Sequence, residues 1–114
     1  MTEEERARWR KLAKTKRQQR EQDFLAAYGL LGAAVLRTLV RHDPAGIIGA
    51  GAPSVQYTTE ARPISERLCR AESRADVRSV IREVLEHYFW PGITDSATEE
   101  QMAGEIWETC REHR

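Results

Sequence analysis

The stretch His42-Asp43-Pro44-Ala45-Gly46-Ile47-Ile48-Gly49-Ala50-Gly51-Ala52-Pro53 is the one long interruption in a chain that otherwise follows helical periodicity. Three glycines and two prolines within 44–53 do not support regular structure there. No stretch alternates convincingly with period two, and an extended Ser54–Thr58 would be a lone strand without a partner. The expectation is an all-α, four-helix bundle-like domain with a long N-terminal helix and one Gly/Pro-rich loop.

Before the loop, residues 2–22 contain neither Gly nor Pro and are rich in helix formers. Their apolar content is thin, limited to Trp9, Leu12 and alanines, so this part reads as a polar helical extension. From Phe24 the pattern changes. Phe24, Tyr28, Leu31, Val35 and Leu39 recur at steps of four and three, beside Leu25, Leu36 and Val40, and mark a wide apolar face. One first helix of ~40 residues at 1.5 Å each should project beyond a small body. Gly29 and Gly32 sit inside this helix, each at a cost of ~1 kcal/mol against Ala, and with Ala33 and Ala34 they form a small-residue patch. Asp43 followed by Pro44 reads as an N-cap and first position of a short turn, Pro44 to Ile48.

After the loop, Tyr57, Ala61, Ile64 and Leu68 place a helix from about Thr59 to Ala71, with Pro63 in its first turn. Ser73 caps the next helix, with Asp76 three residues on. Val77, Val80, Ile81, Val84, Leu85, Tyr88 and Phe89 form its stripe, and Trp90-Pro91-Gly92 stops it. Thr94, Asp95 or Ser96 opens the last helix, where Ser96 and Glu99 match a capping box. Met102, Ala103, Ile106, Trp107 and Cys110 form its buried face.

The 114 residues suit one domain, read as a basic extension over 1–22 and a helical domain over 23–114. The formal charge is zero, but the sum hides a split. Residues 6–20 carry eight basic residues and no acid, whereas Asp23 onward carries ten basic and fourteen acidic ones. Cys69 and Cys110 lie in apolar helical patterns and read as reduced core residues. The start is charged from Glu3 onward, without the pattern of a secretory leader. The longest uncharged run, Phe24 to Leu36, is 13 residues against the ~20 needed to span a bilayer. The expected location is the cytoplasm.

Catalytic patterns are hard to find. Glu83, Glu86 and His87 lack the spacing of zinc-protease or di-iron motifs and read as a solvated face. Cys110, His113 and Cys69 lack the paired cysteines of a zinc site. Gly46 to Gly51 follows no strand and has no Gly-Lys-Ser/Thr, so it is not a phosphate loop. The reading is of a protein that is not an enzyme, with no metal and no cofactor. Two surfaces remain as contact candidates. Arg6, Arg10, Lys14 and Arg17 fall at steps of three or four on one face of the basic helix, with Trp9 near, and suit a phosphate backbone. Tyr88, Phe89 and Trp90 span about 200° of a helix. Trp90 is therefore off the stripe, either closing the bundle end against the 43–57 loop or exposed to anchor a partner.

Asp43-Pro44, the Gly-rich loop, Tyr57, Ile64 and the helix ending in Tyr88-Phe89 resemble the YugE-like family of small bacterial helical proteins over roughly residues 35–110. The chain departs from that family in its long basic N-terminal helix and in lacking an acidic pair before Tyr57. The resemblance implies a helical bundle without catalysis. By analogy with small helical immunity proteins, the first expectation is a non-enzymatic module that binds a partner protein, such as a toxin, through Asp43, Tyr57 and Trp90. The alternative is a nucleic-acid-associated protein using Arg6, Arg10, Lys14 and Arg17.

Overall fold

The computed structural model describes residues 2–112, and its helices follow the periodicity of the sequence: α1 (Glu3–His42), α2 (Thr58–Leu68), α3 (Arg74–Tyr88) and α4 (Ser96–Glu112). A 3₁₀ turn over Ser54–Tyr57 leads into α2. The fold is all-α, with no strand among the described residues. Ser54–Thr58, which as an extended segment would have had no partner strand, is helical, with Thr58 Oγ1 donating to the Val55 carbonyl at 2.6 Å.

Helix α1 starts at Thr2, whose hydroxyl accepts the Glu5 N–H at 3.2 Å. Glu3, Glu4 and Glu5 occupy the first turn, where negative charge complements the helix dipole. The helix is not straight. Gly29 has φ 59° and ψ −139°, a conformation open in practice to glycine alone. The chain bends sharply there and the two limbs fold back. Ser54 shares one groove with Arg17 and another with Arg41. On a straight helix those arginines would stand about 36 Å apart. Gly32 permits the bend, because a Cβ there would lie 2.6 Å from Tyr28 Cβ and 3.2 Å from the Phe24 ring. The small-residue patch thus receives the chain's own first limb. The molecule's longest dimension is 54 Å, below the ~60 Å that a straight 40-residue helix would span.

Both limbs feed one core. Phe24 from the first and Val35 and Leu39 from the second are fully buried with Tyr57, Ile64, Leu68, Ile81, Leu85, Met102 and Ile106. Each such side chain contributes about 1.5–3 kcal/mol of burial free energy. Helices α3 and α4 run antiparallel and are tied by arginines. Arg74 Nε lies 2.6 Å from Glu100, and Arg78 reaches both Glu99 and Glu100 at 3.1 Å. Arg82 stands 3.5 Å from Glu99. These arginines therefore pair across helices.

Caps and termini refine the sequence reading. Ser73 Oγ accepts the Asp76 N–H at 3.1 Å, and Asp76 in turn accepts the Glu72 N–H at 2.9 Å. At α4 the cap is Asp95, which accepts the Thr98 N–H at 2.7 Å, whereas Ser96 accepts from Arg78. The Thr98 amide, and after it the Thr98 hydroxyl, hold the Asp95 carboxyl below its ordinary pKa. Pro63 lies beyond the first turn of α2, since the helix begins at Thr58. The carbonyl it leaves without an intrahelical donor belongs to Thr59, an exposed position where water can serve. Cys110 is buried, but Cys69 is exposed at the end of α2, which corrects its reading as a core residue. Glu60 is buried in α2, and its Oε2 has no hydrogen-bond partner among the described residues. Burial pushes its carboxyl pKa up.

Candidate functional site

The loop after α1 is closed by Asp43 and Tyr57. Asp43 ends the helix in the left-handed region, φ 44° and ψ 56°, and its N–H donates to Leu39 O at 2.8 Å. Its carboxylate then collects donors. Oδ1 accepts the Ile48 N–H at 3.1 Å and the Tyr57 hydroxyl at 2.6 Å, and Oδ2 accepts the Gly49 N–H at 3.0 Å. The Tyr57 oxygen also accepts the Ala45 N–H at 3.2 Å. Asp43 therefore closes α1 and staples the turn from five and six residues back, a longer reach than an ordinary N-cap makes.

Electrostatics follow from this geometry. Burial alone would raise the Asp43 carboxyl, but the Tyr57 hydroxyl and the amides of Gly49, Ile48 and Ile47 outweigh it and hold the pKa below its ordinary value. Burial, followed by the bond to Asp43, drives the Tyr57 phenol strongly upward. The phenol stays protonated and donates. Tyr57 is fully buried, so it presents no surface to a partner. The pair Asp43–Tyr57 sets the shape of the loop from inside. Glu105 fixes the same end of α1 by pairing with Arg41 and with His42 Nε2, the latter at 2.8 Å. Burial and then the Arg41 charge lower the His42 pKa.

Trp90 is 52% exposed and meets Phe89 edge-on, with centroids 6.2 Å apart. Tyr88 is 44% exposed and lines a groove with Arg20, Thr59 and Arg62. Tyr88 thus stands near the start of α2, directly after Tyr57.

The first limb of α1 gives the other surface. From Thr2 to Lys16 every residue is exposed, with Trp9 at 62% and Leu12 at 51%. The limb meets the body from Lys14, which shares a groove with Pro53, Ser54 and Val55. The extension that leaves the body is thus shorter than 1–22. Among the described residues, none of its eight basic side chains forms an ion pair within 4.0 Å. Counting along the limb, Arg6, Arg10, Lys14, Arg17, Glu21, Phe24 and Tyr28 follow one another at steps of four and three. The basic row is therefore the outward continuation of the stripe that Phe24 and Tyr28 bury. The steps were legible in sequence, but the continuity into the buried stripe was missed. Extending the same count from Arg17 through Glu21 to Phe24 finds it.

Within α1 an 18-residue window reaches a mean hydropathy of 1.5, enough by length and composition for a membrane span, and 39% of it is buried in the body. Both limbs of α1 contribute side chains to the core on either side of the Gly29 bend. No family model, no curated protein and no solved structure matches this chain.

Proposed function

We propose that this chain is a non-enzymatic binding module whose contact surface is the basic first limb of α1, and that its partner is nucleic acid. The observation that carries this reading is the row Arg6, Arg10, Lys14 and Arg17, unpaired among the described residues and carried outward on a helix anchored by Phe24. An isolated cation row of this kind gains most from a polyanion, which releases counterions on contact. Such contacts position the backbone and read little sequence. This reading keeps the chain in the cytoplasm.

The test is a salt titration of binding to mixed-sequence DNA. Neutralising about four phosphates gives a slope near −3 to −4 in log affinity against log salt. Charge reversal at Arg6 and Arg10 should abolish binding at low salt. Absence of any affinity at low salt would refute the proposal, and equal binding to vesicles of anionic lipid would assign the limb to membrane surfaces instead.

A second reading, a protein partner of immunity or regulatory type, is favoured by one observation: Trp90 is half exposed, and large exposed aromatics are common binding anchors. With Tyr57 buried, that surface reduces to Trp90 and its surroundings. Interactions captured by pull-down that survive Trp90→Ala would dismiss it.

A further inference from the structure

The basic row does not end at Arg17. Arg20 lies one turn further along the limb and faces a groove that it lines with Arg62 and Tyr88, together with Thr58, Thr59 and Glu66. Arg62 is poised over the Tyr28 ring at 6.0 Å, and the Tyr28 hydroxyl donates to Glu66 at 2.6 Å. Glu66 is the acid of this groove, and its bond to Tyr28 directs one oxygen toward the limb. Arg20 has no ion pair among the described residues. Beyond Tyr88 the chain exposes Trp90, and near the start of the row it exposes Trp9. Tyr88 is braced edge-on by His87 at 5.0 Å, and Trp90 by Phe89.

Resting on the nucleic-acid reading above, we propose that the ligand is single-stranded, with its phosphates along Arg6 to Arg20 and Arg62, and with unpaired bases stacked on Tyr88 and Trp90. The chemistry discriminates between the two forms of nucleic acid. In a duplex the base faces are consumed by their neighbours, so exposed aromatic rings beside a cation track find nothing to stack on. In a single strand every base offers a π-face, and an aromatic platform next to a basic groove is the usual solution for binding it without sequence preference. Arg20, Arg62 and Tyr88 come from three different parts of the chain, the first limb, α2 and the end of α3, and the fold brings them to one groove, with the exposed Trp90 two residues beyond Tyr88.

The experiment compares full-length protein binding to oligothymidylate and to a mixed duplex of equal length, by fluorescence anisotropy at low salt. The single strand should bind at least about tenfold more tightly. Tyr88→Ala and Trp90→Ala should each weaken single-strand binding by roughly 5- to 50-fold and leave duplex binding unchanged. Tyr88→Phe, which keeps the ring, should retain wild-type affinity. Both positions are well exposed, and thermal unfolding of each variant confirms the fold. Equal affinity for the two ligands, or alanine variants that weaken both alike, would overturn the single-strand assignment while leaving the basic limb as a nucleic-acid contact. A duplex preference abolished by Trp90→Ala would identify a wedge between base pairs and overturn it equally. No binding of either ligand would overturn the broader proposal as well.

Discussion

The Tyr57 hydroxyl donates to Asp43 Oδ1 across 2.6 Å, and this bond joins the end of α1 to the start of α2 across the whole Gly/Pro-rich loop. A charged acceptor with three donors in a half-buried site is worth more than a neutral pair. Asp43→Ala should lower stability by about 2–3 kcal/mol, and Tyr57→Phe by about 1–2 kcal/mol. Denaturant unfolding measures both. Because the bonds share one carboxylate, the double variant should cost less than the sum of the singles.

The same carboxylate gives a dependence on pH. Its folded-state pKa lies below the ordinary 3.8. The stabilisation is therefore complete above that value and is lost as the pH falls through the folded-state pKa. Asp43→Asn should flatten the acid limb of the stability curve relative to the wild type. An unchanged acid limb would show that another carboxylate governs it.

Glu60 behaves in the opposite sense. Burial raises its pKa above the ordinary 4.5, so folding favours the protonated form. The folded state holds its advantage below the ordinary value and loses it as the pH rises through the folded-state pKa. Glu60→Gln removes the ionisation and should raise the melting temperature at neutral pH. The gain should vanish near pH 4, and a gain independent of pH would point to packing instead.

Gly29→Ala sets two effects against each other. By helix propensity alone, Ala should stabilise an interior position by about 1 kcal/mol. At φ 59° and ψ −139° the added Cβ instead imposes strain of about 1–3 kcal/mol. No atom lies within 4 Å of that Cβ, so the penalty is one of backbone conformation alone. The variant should be less stable than the wild type, and a more stable one would mean that α1 runs straight through residue 29.

Much of the architecture was legible in the chain. The stripe from Val77 to Leu85, the cap at Ser73 and the stop at Trp90 are local patterns, and local patterns survive folding. The bend at Gly29 was not legible. A glycine in a helical pattern does not announce its φ, and the stripe from Phe24 to Leu39 reads equally well along one straight helix. Two apolar blocks flanking Gly29 are the trace that the bend leaves in the sequence. The junction of Asp43 and Tyr57 was hidden for the same reason, since a loop of this length fixes no distance between its ends. Tyr57 was read as part of a contact surface beside the loop, whereas its ring is buried and its hydroxyl is taken up by Asp43. The exposure of Cys69 turns on where α2 stops, a boundary that periodicity leaves loose by a few residues.

The joining of the basic row to a buried stripe makes the limb an angular device. Phe24 and Tyr28 clamp the rotation of the helix about its axis, and each residue toward Arg6 inherits that setting at 100° per position. One alanine inserted between Gln18 and Gln19 would leave composition, charge and helicity almost untouched, yet it would swing Arg6, Arg10, Lys14 and Arg17 about 100° away from their present bearing. Four inserted alanines would bring them back to within about 40°, some 6 Å further out. The limb can thus change length in whole turns far more safely than by a single residue.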